Sequence, residues 1–78
     1  MAYWLKEAAK LLWEVTLKDP DFAKKIRLAI KRIEKKPTIG RHIKTTRYVY
    51  TDHEMQFRIS YNYHSQAKEI EIVIIHIF

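Results

Sequence analysis

The hydrophobic period changes near residue 40, and this change constrains the fold more than any other feature of the chain. Before that point apolar residues recur every three or four positions, as in helices with one buried face. After it they alternate with polar residues, as in strands with one buried face. A chain of 78 residues is long enough for one domain. We therefore expect a single α+β domain over residues 1–78.

Two helices are expected in the first half. The first covers residues 5 to about 16, where apolar residues repeat at helical spacing. The second starts at Asp19 and Pro20, since aspartate caps a helix and proline suits its first turn. Pro37 ends this second helix, because proline cannot continue the hydrogen-bonding pattern. Its buried stripe is expected to contain Phe22, Ile26, Ala29, Ile30 and Ile33.

Three strands are expected after Gly40, where the chain can turn. They cover residues 42–51, 55–63 and 69–78, and residues 1–4 are a candidate for a short additional strand. The alternation is clearest around Phe57, Arg58 and Ile59, which predicts one buried and one polar face. The apolar end of the last strand is typical of a central or well-covered strand. We expect an N-terminal helical hairpin packed on a three- to four-stranded, mainly antiparallel sheet.

The composition excludes several functional classes. With no cysteine there is no disulfide, no thiolate zinc site and no cysteine nucleophile. With one glycine there is no phosphate-binding loop of the nucleotide-binding folds. The four histidines are 11, 11 and 12 residues apart, which matches no zinc motif. We therefore expect no metal and no cofactor.

No secretion signal or membrane-spanning run is recognisable, so we expect a cytoplasmic protein with no membrane partner.

The chain is basic, with 15 lysines and arginines against 9 acidic residues and a net charge of +6. Most of this excess lies in residues 1–36, within the expected helices. A small basic domain attracts polyanions, and nucleic acid is the commonest of them. A lysine-rich, solvated helix surface explains the charge of the helices equally well.

Arg58 is the most informative candidate, because it lies on the polar face in the middle of a strand. A guanidinium held there suits a phosphate, since it binds two oxygens in a fixed plane. The alternative is an ion pair with Glu69 or Glu71 across the sheet. His76 near the end of the last strand is a candidate general acid or base. The alternative for His76 is a partly buried, hydrogen-bonded residue of the core.

Other basic and aromatic side chains accompany Arg58 in the second half. Lys44 is expected on an adjacent strand, where it could face the same way as Arg58. Arg47 is separated from Lys44 by an odd number of positions, so it is expected to point to the other face of the sheet or into its edge. RNA contacts could come from basic and stacking side chains. The candidates are Arg41, Arg47, Tyr48, Tyr50 and Tyr61.

Four segments in this order resemble the RelE/ParE superfamily of toxin–antitoxin modules. LKEAAKLLWEV is similar to its opening helix, and KDPDFAKKIRLAIKRIEKKPTIG to its second helix and Pro–x–x–Gly exit. MQFRISYNY resembles its Arg–x–x–Tyr strand, here Arg58 and Tyr61. IEIVIIHIF resembles its closing strand with a terminal histidine, here His76. The chain departs from the pattern at Phe78, where similar members carry tyrosine, and at Ile77, where arginine often follows the histidine.

The resemblance implies a toxin that inhibits translation as a ribosome-dependent mRNA endonuclease. By position, Arg58 would bind the scissile phosphate, His76 would transfer a proton and Lys44 would be a second cation. The implied partners are the ribosome with its mRNA and an antitoxin with an acidic or amphipathic segment, and a homodimer is compatible with the pattern. Two alternatives stay open. One is a non-enzymatic member, either a gyrase-type inhibitor or an inactive partner-binding relic, and the other is a basic RNA-binding domain.

Overall fold

A computed structural model describes residues 2–78. The elements in chain order are β1 (Ala2–Trp4), α1 (Lys6–Lys18), α2 (Pro20–Lys35), a 3-10 turn (Pro37–Ile39), β2 (Arg41–Lys44), β3 (Arg47–Asp52), β4 (Phe57–His64) and β5 (Glu69–Ile77). The strands form one sheet in the order β1-β5-β4-β3-β2. Only β1 pairs in parallel, with β5, and the other neighbours are antiparallel. The predicted α+β fold class is confirmed.

The junction between the helices is built by Asp19. Its carboxylate accepts a hydrogen bond from the Phe22 backbone N–H at 3.1 Å, and Pro20 occupies the first helical position. The Asp19 backbone N–H also closes α1 by donating to the Val15 carbonyl at 2.7 Å. One residue therefore ends the first helix and caps the second, which makes the hairpin tight.

Both helices pack on the same face of the sheet, which we call the inner face. The rings of Phe22 and Phe57 lie 5.9 Å apart, and Ile30 is 4 % exposed. The expected packing of the helical hairpin on the sheet, with the α2 stripe buried, is thus confirmed. The buried cluster consists of Ala8, Ile26, Ala29, Ile30, Ile33, Phe57, Ile59, Tyr61, Ile70, Ile72 and Ile75. No helix covers the opposite, outer face, and none within residues 2–78 is long and apolar enough to span a membrane.

The expectation of one strand over residues 42–51 is wrong. The structure divides this segment into β2 and β3, joined by a turn at Thr45 and Thr46. Thr45 has a φ of 48°, a left-handed conformation that is unfavourable for a β-branched residue. No glycine or asparagine marks the turn, so the β-branched and aromatic composition predicts a continuous strand.

Gly40 serves a close approach rather than a left-handed turn, since its φ is −74°. A Cβ atom at this position would lie 2.6 Å from the Tyr61 hydroxyl oxygen. That hydroxyl accepts a hydrogen bond from the Gly40 N–H at 3.1 Å and donates one to the Pro37 carbonyl at 2.6 Å. The absence of a side chain at Gly40 lets β4 hold the segment that leads from α2 into β2.

The last strand is central, as expected, but it is covered on one face only. Strand β5 lies between β1 and β4, and its inner face is buried at Ile70, Ile72 and Ile75. Ile74 is 44 % exposed on the outer face. The register shifts between Ser60 and Tyr61, which pair with Ile74 and Ile72, so that Val73 is the extra residue of a β-bulge.

Candidate nucleic-acid interface

Arg58 lies at the centre of the exposed part of the outer face. Strand β4 buries Phe57, Ile59 and Tyr61 on the inner face, so that Arg58 and Ser60 project outward. Arg58 pairs directly with His76 on β5 and with Thr51 on β3. Opposite residues of antiparallel strands have Cβ atoms about 4.5–5.5 Å apart. The guanidinium and the imidazole, both exposed, are therefore neighbours on one open surface.

Phe78 joins this pair from the end of β5. The Arg58 Cζ atom lies 5.5 Å from the centroid of the Phe78 ring, and the His76 ring is stacked at 5.9 Å with an interplanar angle of 23°. The Phe78 backbone N–H donates to the Gln56 carbonyl at 3.0 Å, which extends the ladder past the strand end. A cation over an aromatic face gains about 0.5–1 kcal/mol when exposed, so Phe78 helps to orient Arg58.

The acidic residues that could have paired with Arg58 lie opposite other residues of β4. Glu69 is in register with His64, and Glu71 with Asn62. The Glu71 carboxylate accepts hydrogen bonds from the Asn62 amide at 2.8 Å and from the Tyr3 hydroxyl at 3.4 Å. Asn62 lies four residues from Arg58 along β4, or about 13 Å. Neither the ion-pair alternative for Arg58 nor the core alternative for His76 describes the structure.

Arg41 supplies the second cation near Arg58. On β2 it is in register with Val49, whose partner on β4 is Ser60. A shallow groove of about 340 Å³ is lined by both arginines together with Ile43, Val49, Thr51 and Ser60. A second groove of about 400 Å³ lies beside it and is also lined by both arginines. Two guanidinium groups thus border open concave surface on the outer face.

Lys44 and Arg47 lie at the other end of the outer face. They pair with each other, and Arg47 Nε donates to the Asn62 side-chain oxygen at 2.9 Å. The expectation that Arg47 faces away from the outer face is wrong, because the turn at Thr45 restarts the alternation on a new strand. Lys44 and Arg47 line a groove of about 350 Å³ with Asn62. The structure therefore brings Arg41, and not Lys44, close to Arg58.

The three tyrosines expected to contact RNA have inner-face positions. Tyr61 is fully buried, and burial raises the pKa of its hydroxyl above the usual value. The Tyr48 ring is stacked between His42, at 4.7 Å, and Tyr61, at 5.6 Å. The Tyr50 hydroxyl accepts a hydrogen bond from Arg32 at 3.2 Å. The Tyr61 ring in particular is not accessible to a base in this fold.

Two further side chains, which the sequence analysis did not include among the candidates, border the site. Phe78 contacts Arg58 and His76, as described above. His53, in the turn after β3, lines the 400 Å³ groove together with Arg41 and Arg58. His53 follows Thr51 by two positions, and residues two positions apart in a strand lie on the same face. The sequence could therefore have indicated that His53 shares the outer face with Thr51.

The described residues 2–78 contain no group of three or more histidine, aspartate and glutamate side chains that could hold a metal ion. The chain matches no family model, no curated protein and no solved structure.

Proposed function

We propose that this protein is a toxin-like endoribonuclease, similar to RelE/ParE toxins, that inhibits translation by cleaving mRNA on the ribosome. The observation that supports this proposal best is the direct cross-strand pairing of Arg58 and His76 on an open, exposed face. A phosphate clamp and a proton carrier side by side are what cleavage at a ribose 2′-hydroxyl needs.

In the proposed reaction the ribose 2′-oxygen attacks the adjacent phosphorus, and the bond to the 5′-oxygen of the next nucleotide breaks. The products are a 2′,3′-cyclic phosphate and a free 5′-hydroxyl. Arg58 binds the non-bridging oxygens, on which negative charge accumulates in the transition state. His76 exchanges the proton of an attacking or leaving oxygen. Arg41 stabilises the neighbouring phosphate of the same strand.

The shape of the outer face favours a substrate presented by another assembly. The grooves beside Arg58 are shallow, and none of those described above encloses a ligand. A single RNA strand laid on such a surface has few contacts to position it for in-line attack. A ribosome that holds the mRNA in a fixed conformation supplies the missing orientation, which is worth several kcal/mol of the activation barrier.

The proposed regulatory partner is an antitoxin whose acidic or amphipathic segment covers the outer face. Its carboxylates would pair with Arg41 and Arg58, and its apolar side chains would cover Ile43 and Ile74, which are 52 % and 44 % exposed. The net charge of +6 steers such a segment toward the protein. Association with a cognate acidic peptide should slow at high salt, and a rate that is independent of salt contradicts this steering.

A non-enzymatic binding protein is the second candidate, and Phe78 favours it. The Phe78 ring lies against both Arg58 and His76 and has no hydroxyl that could take part in proton transfer. In this reading the same basic and apolar face binds a protein or RNA partner without cleaving it.

The test is mRNA cleavage in a translation extract, with 5′ ends mapped at nucleotide resolution. Arg58→Ala should slow cleavage by about 10²–10³-fold, since losing one preorganised transition-state contact costs about 2.7–4 kcal/mol. Arg27→Ala removes the same charge from α2 and is the matched control, which should cleave within a few-fold of wild type. Thermal melting checks that both variants are folded. Binding of RNA by the wild type without cleavage contradicts the nuclease and favours the binding protein.

A further inference from the structure

We infer that His53 is the second proton carrier of the site, acting on the opposite side of the phosphate from His76. This inference rests on the proposed ribonuclease function. It goes beyond that function because it assigns a catalytic role to a residue outside the Arg58–His76 pair.

The position of His53 follows from the pairing around Arg58. Arg58 lies on the middle strand of three, with His76 beside it on β5 and Thr51 beside it on β3. His53 follows Thr51 by two residues and lines the same groove as Arg41 and Arg58. Neighbouring strands are about 4.8 Å apart and a strand rises about 3.3 Å per residue, so the two histidine backbones are separated by roughly 12 Å, about 10 Å across the sheet and about 7 Å along it. A phosphate bound at Arg58 would lie between the two imidazoles.

The chemistry requires two proton transfers on opposite sides of the phosphorus. One group accepts the proton of the attacking 2′-hydroxyl, and another donates a proton to the leaving 5′-oxygen. Because attack and departure are in line, one side chain cannot serve both oxygens in the same step. One histidine starts neutral and ends protonated, and the other starts protonated and ends neutral. The net charge of the protein is unchanged, and proton exchange with water restores the starting protonation states.

The other groups around Arg58 are poor proton carriers near neutral pH. Thr51 and Ser60 carry aliphatic hydroxyls, and the Arg41 guanidinium stays protonated in proteins. An imidazole exchanges protons in this range. The remaining histidines are elsewhere: the His42 ring is hydrogen-bonded to the Thr45 carbonyl at 2.9 Å, and His64 pairs with Glu69 at the far end of the sheet. His53 and His76 are therefore the two imidazoles that flank Arg58.

The test compares two substrates in the translation extract in which the wild type cleaves. One is an ordinary short mRNA, and the other carries sulfur in place of the bridging 5′-oxygen at the cleaved bond. A sulfur leaving group departs as thiolate without needing a proton, so the second substrate restores the rate of a variant that lacks the proton donor. The variants are His53→Gln and His76→Gln, with His64→Gln as the matched control and thermal melting as the check on folding.

Both His53→Gln and His76→Gln should slow cleavage of the ordinary mRNA by about 10²–10⁴-fold. The sulfur substrate should restore a rate near that of wild type in one of them and not in the other, and His64→Gln should behave as wild type on both substrates. The inference is overturned if His53→Gln cleaves ordinary mRNA at the wild-type rate, or if sulfur rescues both variants or neither. A wild type that cleaves no mRNA overturns the proposed function and this inference with it, whereas an active wild type with an unimpaired His53→Gln overturns this inference alone.

Discussion

The Tyr61 hydroxyl is the point at which the sheet holds the segment between α2 and β2, and its removal should destabilise the protein measurably. Tyr61→Phe deletes a hydrogen bond of 2.6 Å to the Pro37 carbonyl and one of 3.1 Å from the Gly40 N–H. An unsatisfied buried partner costs about 1–3 kcal/mol. Because Pro37 and Gly40 are only half-buried, water can reach part of this site. With two partners lost and each of them partly solvated, we expect a loss of about 1–3 kcal/mol in the free energy of unfolding.

The close approach at Gly40 makes a sharper test possible. In Gly40→Ala the new methyl group would lie 2.6 Å from the Tyr61 hydroxyl oxygen and 3.0 Å from the Val49 carbonyl oxygen. Such overpacking costs about 1–3 kcal/mol. In the double variant with Tyr61→Phe the shortest contact disappears while the contact to Val49 remains. The two losses should therefore be less than additive, with a coupling of about 1 kcal/mol.

The measurement is urea unfolding of the wild type, both single variants and the double variant at one pH. Tyr63→Phe, on the same strand and the same face, is the matched control and should change the free energy of unfolding by less than about 0.5 kcal/mol. Additive losses in the double variant would show that the Tyr61 hydroxyl does not obstruct the methyl group introduced by Gly40→Ala. A Tyr61→Phe variant as stable as the wild type would refute the account of this junction.

Three further predictions concern stability. Ile30→Ala should lower the free energy of unfolding by about 2–5 kcal/mol, because it leaves a cavity between α2 and the sheet, and urea unfolding will show it. Thr45→Gly should raise the melting temperature, because it relieves a left-handed conformation that costs about 1–2 kcal/mol for a residue with a side chain, and an unchanged melting temperature contradicts this strain. Burial raises the pKa of Tyr61 in the folded state, so its contribution to stability is complete below the unfolded-state pKa of about 10 and is lost as the pH rises through the folded-state pKa. Unfolding followed from pH 9 to pH 11 should show a steeper alkaline loss in the wild type than in Tyr61→Phe.

The elements that sequence reasoning predicted well are those with a local physical cause. Asp19 and Pro20 specify a helix start through capping and a fixed φ angle, and the structure confirms them at these positions. The outward direction of Arg58 follows from the alternation of β4, which is regular from Phe57 to Tyr61. The first helix was expected over residues 5 to about 16 and extends over Lys6–Lys18. Such an end is set by packing and hydrogen bonding as well as by local propensity.

The arrangement of the outer face was not predictable, because it depends on two β-bulges. In a regular ladder continued from the pair of His64 and Glu69, Arg58 would face Ile75 and His76 would point into the core. The extra residue Val73 shifts the register by one, so that Ile75 is buried and His76 lies beside Arg58. Sequence alternation could not reveal this, since residues 72–75 are apolar at both parities.

The second bulge has the same consequence on β2. His42 pairs with Tyr48 and Lys44 with Arg47, so Ile43 is the extra residue. Arg41 and Lys44 are three positions apart and would lie on opposite faces of a regular strand, yet the bulge turns both outward. Bulges re-aim side chains next to functional sites in many sheets. Each of the two bulges places an imidazole or a cation on the face that the helices leave open. For this reason we place the proposed chemistry on the outer face and not on the basic helical surface.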